Sequence, residues 1–490
     1  MKSSLLLMVL CLGTLLSAGC MKVQHYHPIP LTPSASAASL QARTLNNPAL
    51  EKFLEKDLGH KPNPWPVKSW SLKMLTLAAI YYSPALQQAR AQVSAAKAAV
   101  VTAGERPNPT FRLRPGIPSP YLYSLDLLFN IQTAGKRKIM VEQAKDLTRA
   151  ARLNLAQATW RVCSNVRAAL VSYFMATREA GLLQIQQRLQ SRRVVLLRQR
   201  FAAGEISRPM VDNARLSLLQ MRVAIDTAEG RIPETRAALA AAIGVPVKAL
   251  KGVRFVWPDF SRPPSAQSIS SQHIQREAVL NRLDVRKALA QYAAAQAALQ
   301  LQIAKQHSDV LIGPGYDLNS DYFRLRYAVT LPIFNRNQGP IAQAEAQRKA
   351  AAAAFLATQA NAIAQSEEAL ARYRGAWREL NGAEESLVEL EHIVIPRERR
   401  TVAAGEAGRL ALNAVLLQRP GLAQTWLTAL GQTQTALGAL EDAVQRPLEP
   451  DEVALPFRPA SSSHAGSKPY NNSRDAGLKP GSTRIRKRVP

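Results

Sequence analysis

The residue best placed for covalent chemistry is Cys20, which closes the string Leu16-Ser17-Ala18-Gly19-Cys20. Lys2, an apolar run from Leu5 to Leu16 and the small residues that follow mark residues 1–19 as a secretory signal peptide. Small residues before a cysteine also fit a lipobox, at which the signal is cut and the new N-terminal cysteine is acylated. Cys20 is therefore expected to carry a covalent lipid, although Ser17 stands where such sites more often have leucine. The alternative is an ordinary signal with a chance cysteine. Met21 follows, in place of the aspartate that keeps lipoproteins at the inner membrane, which favours the outer one. Cys11 leaves with the signal, so the acylated chain has no cysteine pair for an intramolecular disulfide, and packing must supply its stability.

Other reactive constellations are missing from the sequence. Seven histidines are scattered without a His-Glu-x-x-His pair, and His25-Tyr26-His27 has no third ligand nearby. There is no phosphate-binding loop, nucleophile elbow or kinase motif, and Gly313-Pro314-Gly315-Tyr316 reads as a turn near a strand. We expect a protein that is not an enzyme and has no cofactor beyond the lipid.

The formal charge of +28 would suggest nucleic acid in a cytosolic protein. Export removes that reading. From Arg458 onward, eight Lys or Arg face the single acid Asp475 in a Ser, Pro and Gly-rich stretch, so 448–490 reads as a disordered basic tail. The remaining positive charge is spread along polar helix faces, where it is either solvated surface or a lumen charge.

A long-period repeat organises the rest. Ala202-Ala203-Gly204-Glu205 recurs at Ala403-Ala404-Gly405-Glu406, 201 residues on. The helical stretch from Leu86 matches the one from Val285, and Phe129-Asn130 matches Phe334-Asn335. The expected organisation is a lipidated segment over 20–64, a first repeat over 65–245, a linker or equatorial segment over 246–271 and a second repeat over 272–447. Each repeat opens with a helix, at about 71–104 and 272–306, continues through two short alternating segments and ends in very long helices. The stretch 136–200 contains no proline, and a helix of that length would span about 100 Å. Pro420-Gly421 should kink or break the helix returning from the second Ala-Ala-Gly-Glu turn.

The alternating segments have period two. Tyr123, Leu125, Leu127, Phe129 and Ile131 fall on one face, with Ser124, Asp126, Asn130 and Gln132 on the other. Leu325, Tyr327, Val329 and Leu331 likewise oppose Arg324, Arg326, Ala328 and Thr330, and the partner segments start at Thr110 and Ser308. Such segments suit tilted transmembrane strands of 9–11 residues, or half-buried strands of a soluble sheet. After the signal no run of 18 apolar residues occurs, so no helix is expected to span. Four strands cannot close a barrel, whose smallest membrane examples have about eight, and lipid tolerates no open sheet edge. If these strands cross a membrane, the chain must oligomerise.

Asn-Pro-Thr-Phe-Arg-Leu-Arg-Pro-Gly from Asn108, the stretch after Ile131, FAAGEISRPMVDNARLSLLQ from Phe201, LIGPGYDLN and LPIFNRNQGPIAQAEAQR together resemble the TolC-type outer membrane factors. TAGKR and FNRNQGPIAQAEA are similar to the CzcC-like branch associated with cation and heavy-metal efflux. The resemblance implies a mainly α fold with a small β part, made of two tandem repeats of long helical hairpins with two β-hairpins per chain. It further implies a homotrimer whose 12-stranded β-barrel continues as an α-helical periplasmic tunnel. The function implied is the passive exit channel of a tripartite efflux system, working with a periplasmic adaptor (membrane fusion protein) and an inner-membrane resistance-nodulation-division pump. By the same resemblance Ala203, Gly204, Glu205, Ile206, Ala404, Gly405 and Glu406 are periplasmic tips that touch the adaptor. Gly204 and Gly405 supply the freedom to reverse the chain, and Ser207 is placed to cap the next helix. Relatives often carry an acidic ring past the tips, but two such positions hold Met210 and Ala411 here, with Asp212 the nearest acid. A lipid-anchored periplasmic coiled-coil scaffold is the alternative from another functional class.

Overall fold

The structure, a computed structural model, describes residues 25–114, 124–317 and 321–448. Cys20, the signal, Tyr123 and the basic tail lie outside the described residues.

Two short helices, α1 (Pro33–Gln41) and α2 (Pro48–Leu58), precede the strand β1 (Ser69–Ser71). The opening helix expected over 71–104 is instead two, α3 (Leu72–Tyr82) and α4 (Pro84–Gly104). Pro84 has no N–H and restricts the residue before it, so Ser83 turns extended and its hydroxyl caps Leu86 N–H. The strands β2 (Thr110–Arg114) and β3 (Ser124–Ile131) follow, then α5 (Lys136–Ala202) and α6 (Arg208–Ile243). α5 runs 67 residues without interruption, roughly 100 Å at 1.5 Å per residue.

The segment expected as a linker forms β4 (Arg254–Val256), which pairs in parallel with β1 through Trp70 and Phe255. The second opening helix is also broken, into α7 (Ser271–Leu280) and α8 (Leu283–Ala304). At the break Arg282 turns inward, pairing with Asp284 at 2.6 Å and donating to the Ala443 carbonyl. β5 (Val310–Asp317) and β6 (Tyr322–Val329) come next. The second set of long helices is α9 (Gln338–Glu389), a π-helical turn at Leu390–Val394, α10 (Ile395–Ala403), α11 (Arg409–Leu416) and α12 (Gln418–Val444). A helix pair, a strand pair and a long helical hairpin thus follow one another twice.

The main core lies at mid-length of α5. Val166, Leu170 and Val171 of α5 meet Trp70, Leu75, Leu239, Ile243 and Phe260, and α2 adds Leu50 and Leu54. Burying each such large side chain contributes about 1.5–3 kcal/mol, so this belt fixes where the long helices cross. Arg43 fastens the N-terminal segment to it, donating to the carbonyls of Tyr82 at 2.9 Å and Gly244 at 2.8 Å. Beside the belt, Arg167 of α5 and Glu441 of α12 form a buried ion pair, and Asp442 accepts from Trp160 and Ser164 at 2.7 Å each. Away from it the helix contacts are made largely by small residues such as Ala144, Ala150, Ala156, Ala290 and Ala294, which allow close approach of long, gently wound helices.

Candidate functional site

The sheet has the order β2-β3-β5-β6 and is antiparallel throughout. Its register puts most apolar side chains on one face and every charged one on the other. Leu113, Leu125, Tyr316 and Phe323 lie in one row and Phe129, Ile312 and Tyr327 in another, while Phe111 pairs with Leu127 and Pro314 with Leu325, so one face is apolar from edge to edge. That face is bare: Phe323 is 82% exposed, and Phe111, Leu325 and Tyr327 are also largely accessible. A soluble sheet would bury such a surface, because a contiguous apolar patch of this kind in water is an interaction surface.

The opposite face carries the ions. Asp126, 1% exposed, has Arg326 Nε at 2.7 Å and Arg324 Nη2 at 3.6 Å from its Oδ1. Arg324 also reaches Asp317 at 3.7 Å. A carboxylate so far from water is tolerable only with such partners. Gly315 occupies the strand position between Asp126 and Arg324, and a Cβ there would overlap the Asp126 carboxylate and crowd Arg324 at 3.3 Å. At Gly313 a Cβ would run into the Leu127 carbonyl. The stretch expected as a turn, Gly313 to Tyr316, is strand: Gly313 lets the backbone of β3 approach closely, and Gly315 clears space for Asp126 and Arg324 to reach each other across β5.

Among the described residues β2 covers five residues and β3, β5 and β6 eight each; β2, β3 and β5 each run to the edge of the described residues. Phe334, matched to Phe129 by the repeat, does not share its setting. It lies beyond β6 in an exposed Leu331-Pro332-Ile333-Phe334 loop and is 96% exposed, whereas Phe129 is in strand β3. Where sheet meets helix, Lys136 Nζ bonds Asp309 Oδ1 at 2.6 Å and the His307 carbonyl, clamping the start of α5 to the start of β5. Alternation alone puts Asp126, Arg324 and Arg326 on the polar face, whereas Arg112 and Arg114 are not singled out by it. The signal was the string Phe-Arg-Leu-Arg, present at both 111–114 and 323–326.

At the other end of the long helices, the two Ala-Ala-Gly-Glu strings are hairpin turns. Gly204 and Gly405 sit at φ 77° and 79°, and Glu205 N–H bonds the Arg200 carbonyl as Glu406 N–H bonds that of Thr401. Both are Schellman-type closures, for which glycine avoids the Cβ penalty of a left-handed residue. Ala203, Gly204, Glu205, Ala404, Gly405 and Glu406 are exposed. Ile206 instead packs inward against Val194, Leu197, Val211 and Ala214. Ser207 stands at the N-cap of α6, but its side chain makes no capping bond. Glu205 pairs with Arg200 at 2.6 Å, and Asp212 with Arg208 at 3.8 Å. Among the described residues no group of three or more His, Cys, Asp or Glu is placed to hold a metal ion, and no helix is long and apolar enough to cross a membrane.

No family model and no curated protein matches the chain. Solved structures do. The outer-membrane channel OprN superposes with a TM-score of 0.62 at 16% identity, over 86% of this chain and 98% of its own. VceC, an outer membrane protein of Vibrio cholerae, gives 0.60 at 18%, over 77% and 97%. CusC, described in terms of folding and transmembrane channel formation, gives 0.60 at 18%, over 79% and 95%. The chain shares the fold of these proteins over nearly their whole length.

Proposed function

We propose that this protein is an outer-membrane efflux channel, passive and without catalytic chemistry. The observation that carries the reading is the sheet with a bare apolar face on one side and an ionised face on the other, which suits lipid outside and water inside. Of the proteins that share the fold, OprN is described as an outer-membrane channel, VceC as an outer membrane protein and CusC in terms of transmembrane channel formation.

Strands β2 and β6 are edges of the sheet, and lipid allows no open edge, so copies must join β6 to β2. Three copies would supply twelve strands, and the long hairpins below them a helical tunnel. On this reading Cys20 anchors each copy to outer-membrane lipid, and the exposed tips at 203–205 and 404–406 meet a periplasmic adaptor that links the tunnel to an inner-membrane resistance-nodulation-division pump. Ile206 would support the tip from within.

The test is conductance. Protein extracted from outer membranes in detergent should run as a heat-modifiable trimer and open discrete channels in planar bilayers. A water-soluble, unlipidated form that never conducts would instead establish the periplasmic scaffold.

A further inference from the structure

This inference rests on the channel reading and concerns what such a channel passes. The two edge strands, β2 and β6, carry the same string: Phe111-Arg112-Leu113-Arg114 and Phe323-Arg324-Leu325-Arg326. With four strands alternating in direction, β6 of one copy meets β2 of the next in the antiparallel sense. Joining them continues the apolar face through the phenylalanines and leucines. On the inner face it brings together four arginines, two from each copy.

Within one copy these arginines are not equally answered. Arg324 and Arg326 share Asp126 and Asp317. Arg112 and Arg114 are exposed and make no ion pair among the described residues. Four arginines against two aspartates leave the inner face of each copy with an excess of positive charge. The connecting residues 115–123 and 318–320 contain no Lys, Arg, Asp, Glu or His to offset it. Asp321 accepts from the hydroxyl of Tyr316, which lies on the apolar row. The missing Cβ at Gly315 leaves room for Asp126 and Arg324 to meet, and Arg112, Arg324 and Arg326 line a groove with Leu128, Leu311 and Ala328.

We propose that each seam between neighbouring copies is an anion-binding station, and that the assembled channel prefers anionic cargo such as carboxylates, phosphates or oxyanions. Guanidinium pairs suit these ligands because their paired N–H groups bind two oxygens of one carboxylate or phosphate at once. Charge of one sign inside a low-dielectric wall focuses the field along the passage and raises the local concentration of counter-ions. A free metal cation meets repulsion there, in contrast with the cation-exporting branch that parts of the sequence resemble.

The experiment is the reversal potential of the full-length protein in planar bilayers under a KCl gradient. Wild type should favour chloride over potassium. Arg112→Gln with Arg114→Gln should lower that permeability ratio about threefold while trimers persist, and Arg112→Lys with Arg114→Lys should keep it. A wild-type channel that conducts but prefers potassium, or a Gln variant with unchanged selectivity, overturns the proposal alone. Wild-type protein that does not conduct at all overturns the channel reading beneath it.

Discussion

The two helical hairpins end in the same turn but differ in the legs that carry it. In the first, α5 reaches the tip unbroken and α6 leaves it as one helix of 36 residues, its Pro233 lying on an exposed face far from the turn. In the second, both legs are interrupted at one level. On the way down the helix widens to the π turn at Leu390–Val394, because Pro396 offers no N–H to the His392 carbonyl. On the way back, α11 stops and Leu417 separates it from α12, because Pro420 cannot bond Leu416. Arg419 of the returning leg grips Glu391 of the π turn at 2.6 Å, so the two interruptions are fastened to each other. The second tip also leans on the first hairpin, through Asn413 donating to the Leu189 carbonyl at 3.2 Å and Leu410 packing on the Val194 cluster. One hairpin is a strut, and the other is a jointed arm braced against it.

That contrast is open to experiment. The largest effect should come from giving the first hairpin the second one's defect. Arg192→Pro, at an exposed position within α5, removes a helical bond and clashes with the preceding turn, at a cost of about 3 kcal/mol or more. Thermal unfolding should report it, and an unchanged midpoint would mean that α5 is no stiffer than its counterpart. Next come the turns themselves. Gly204→Val and Gly405→Val each force a branched residue into left-handed backbone with no neighbour in the way, so each should cost about 1–2 kcal/mol. Equal losses would show that the turns are alike and the difference lies in the legs, whereas a loss confined to one tip would place it in the turn. The smallest effect is expected for Arg419→Ala. Its ion pair is partly exposed, so about 0.2–1 kcal/mol of stability should disappear, less at high salt. Hydrogen exchange should rise around Leu417 in this variant and not around Gly204, and uniform exchange would argue against a joint.

The broken second leg was half legible. Pro420 in the sequence announced an interruption, and the helix does stop three residues before it, at Leu417. The π turn had no signal beyond Pro396, since a helix can also absorb a proline by kinking. Helical periodicity runs through Ser83 and Asn281, so each opening helix reads as continuous in the sequence. Pro84 was the overlooked cue in the first case. In the second, Arg282 left the helix for the Ala443 carbonyl, a contact 161 residues away that no local pattern encodes.

By itself the sequence determined the uninterrupted stretch from Lys136, the two glycine turns and the faces on which the residues of β3 and β6 lie. These follow from local rules: helix propensity, a left-handed glycine and a period of two. Tertiary structure alone decided which strands are neighbours, and therefore that Asp126 meets Arg326 from the far side of β5 across the space cleared by Gly315. It also decided that both Phe-Arg-Leu-Arg strands are edges. Period two assigns a side chain to a face, but only the pairing of segments about 200 residues apart tells which charges share it.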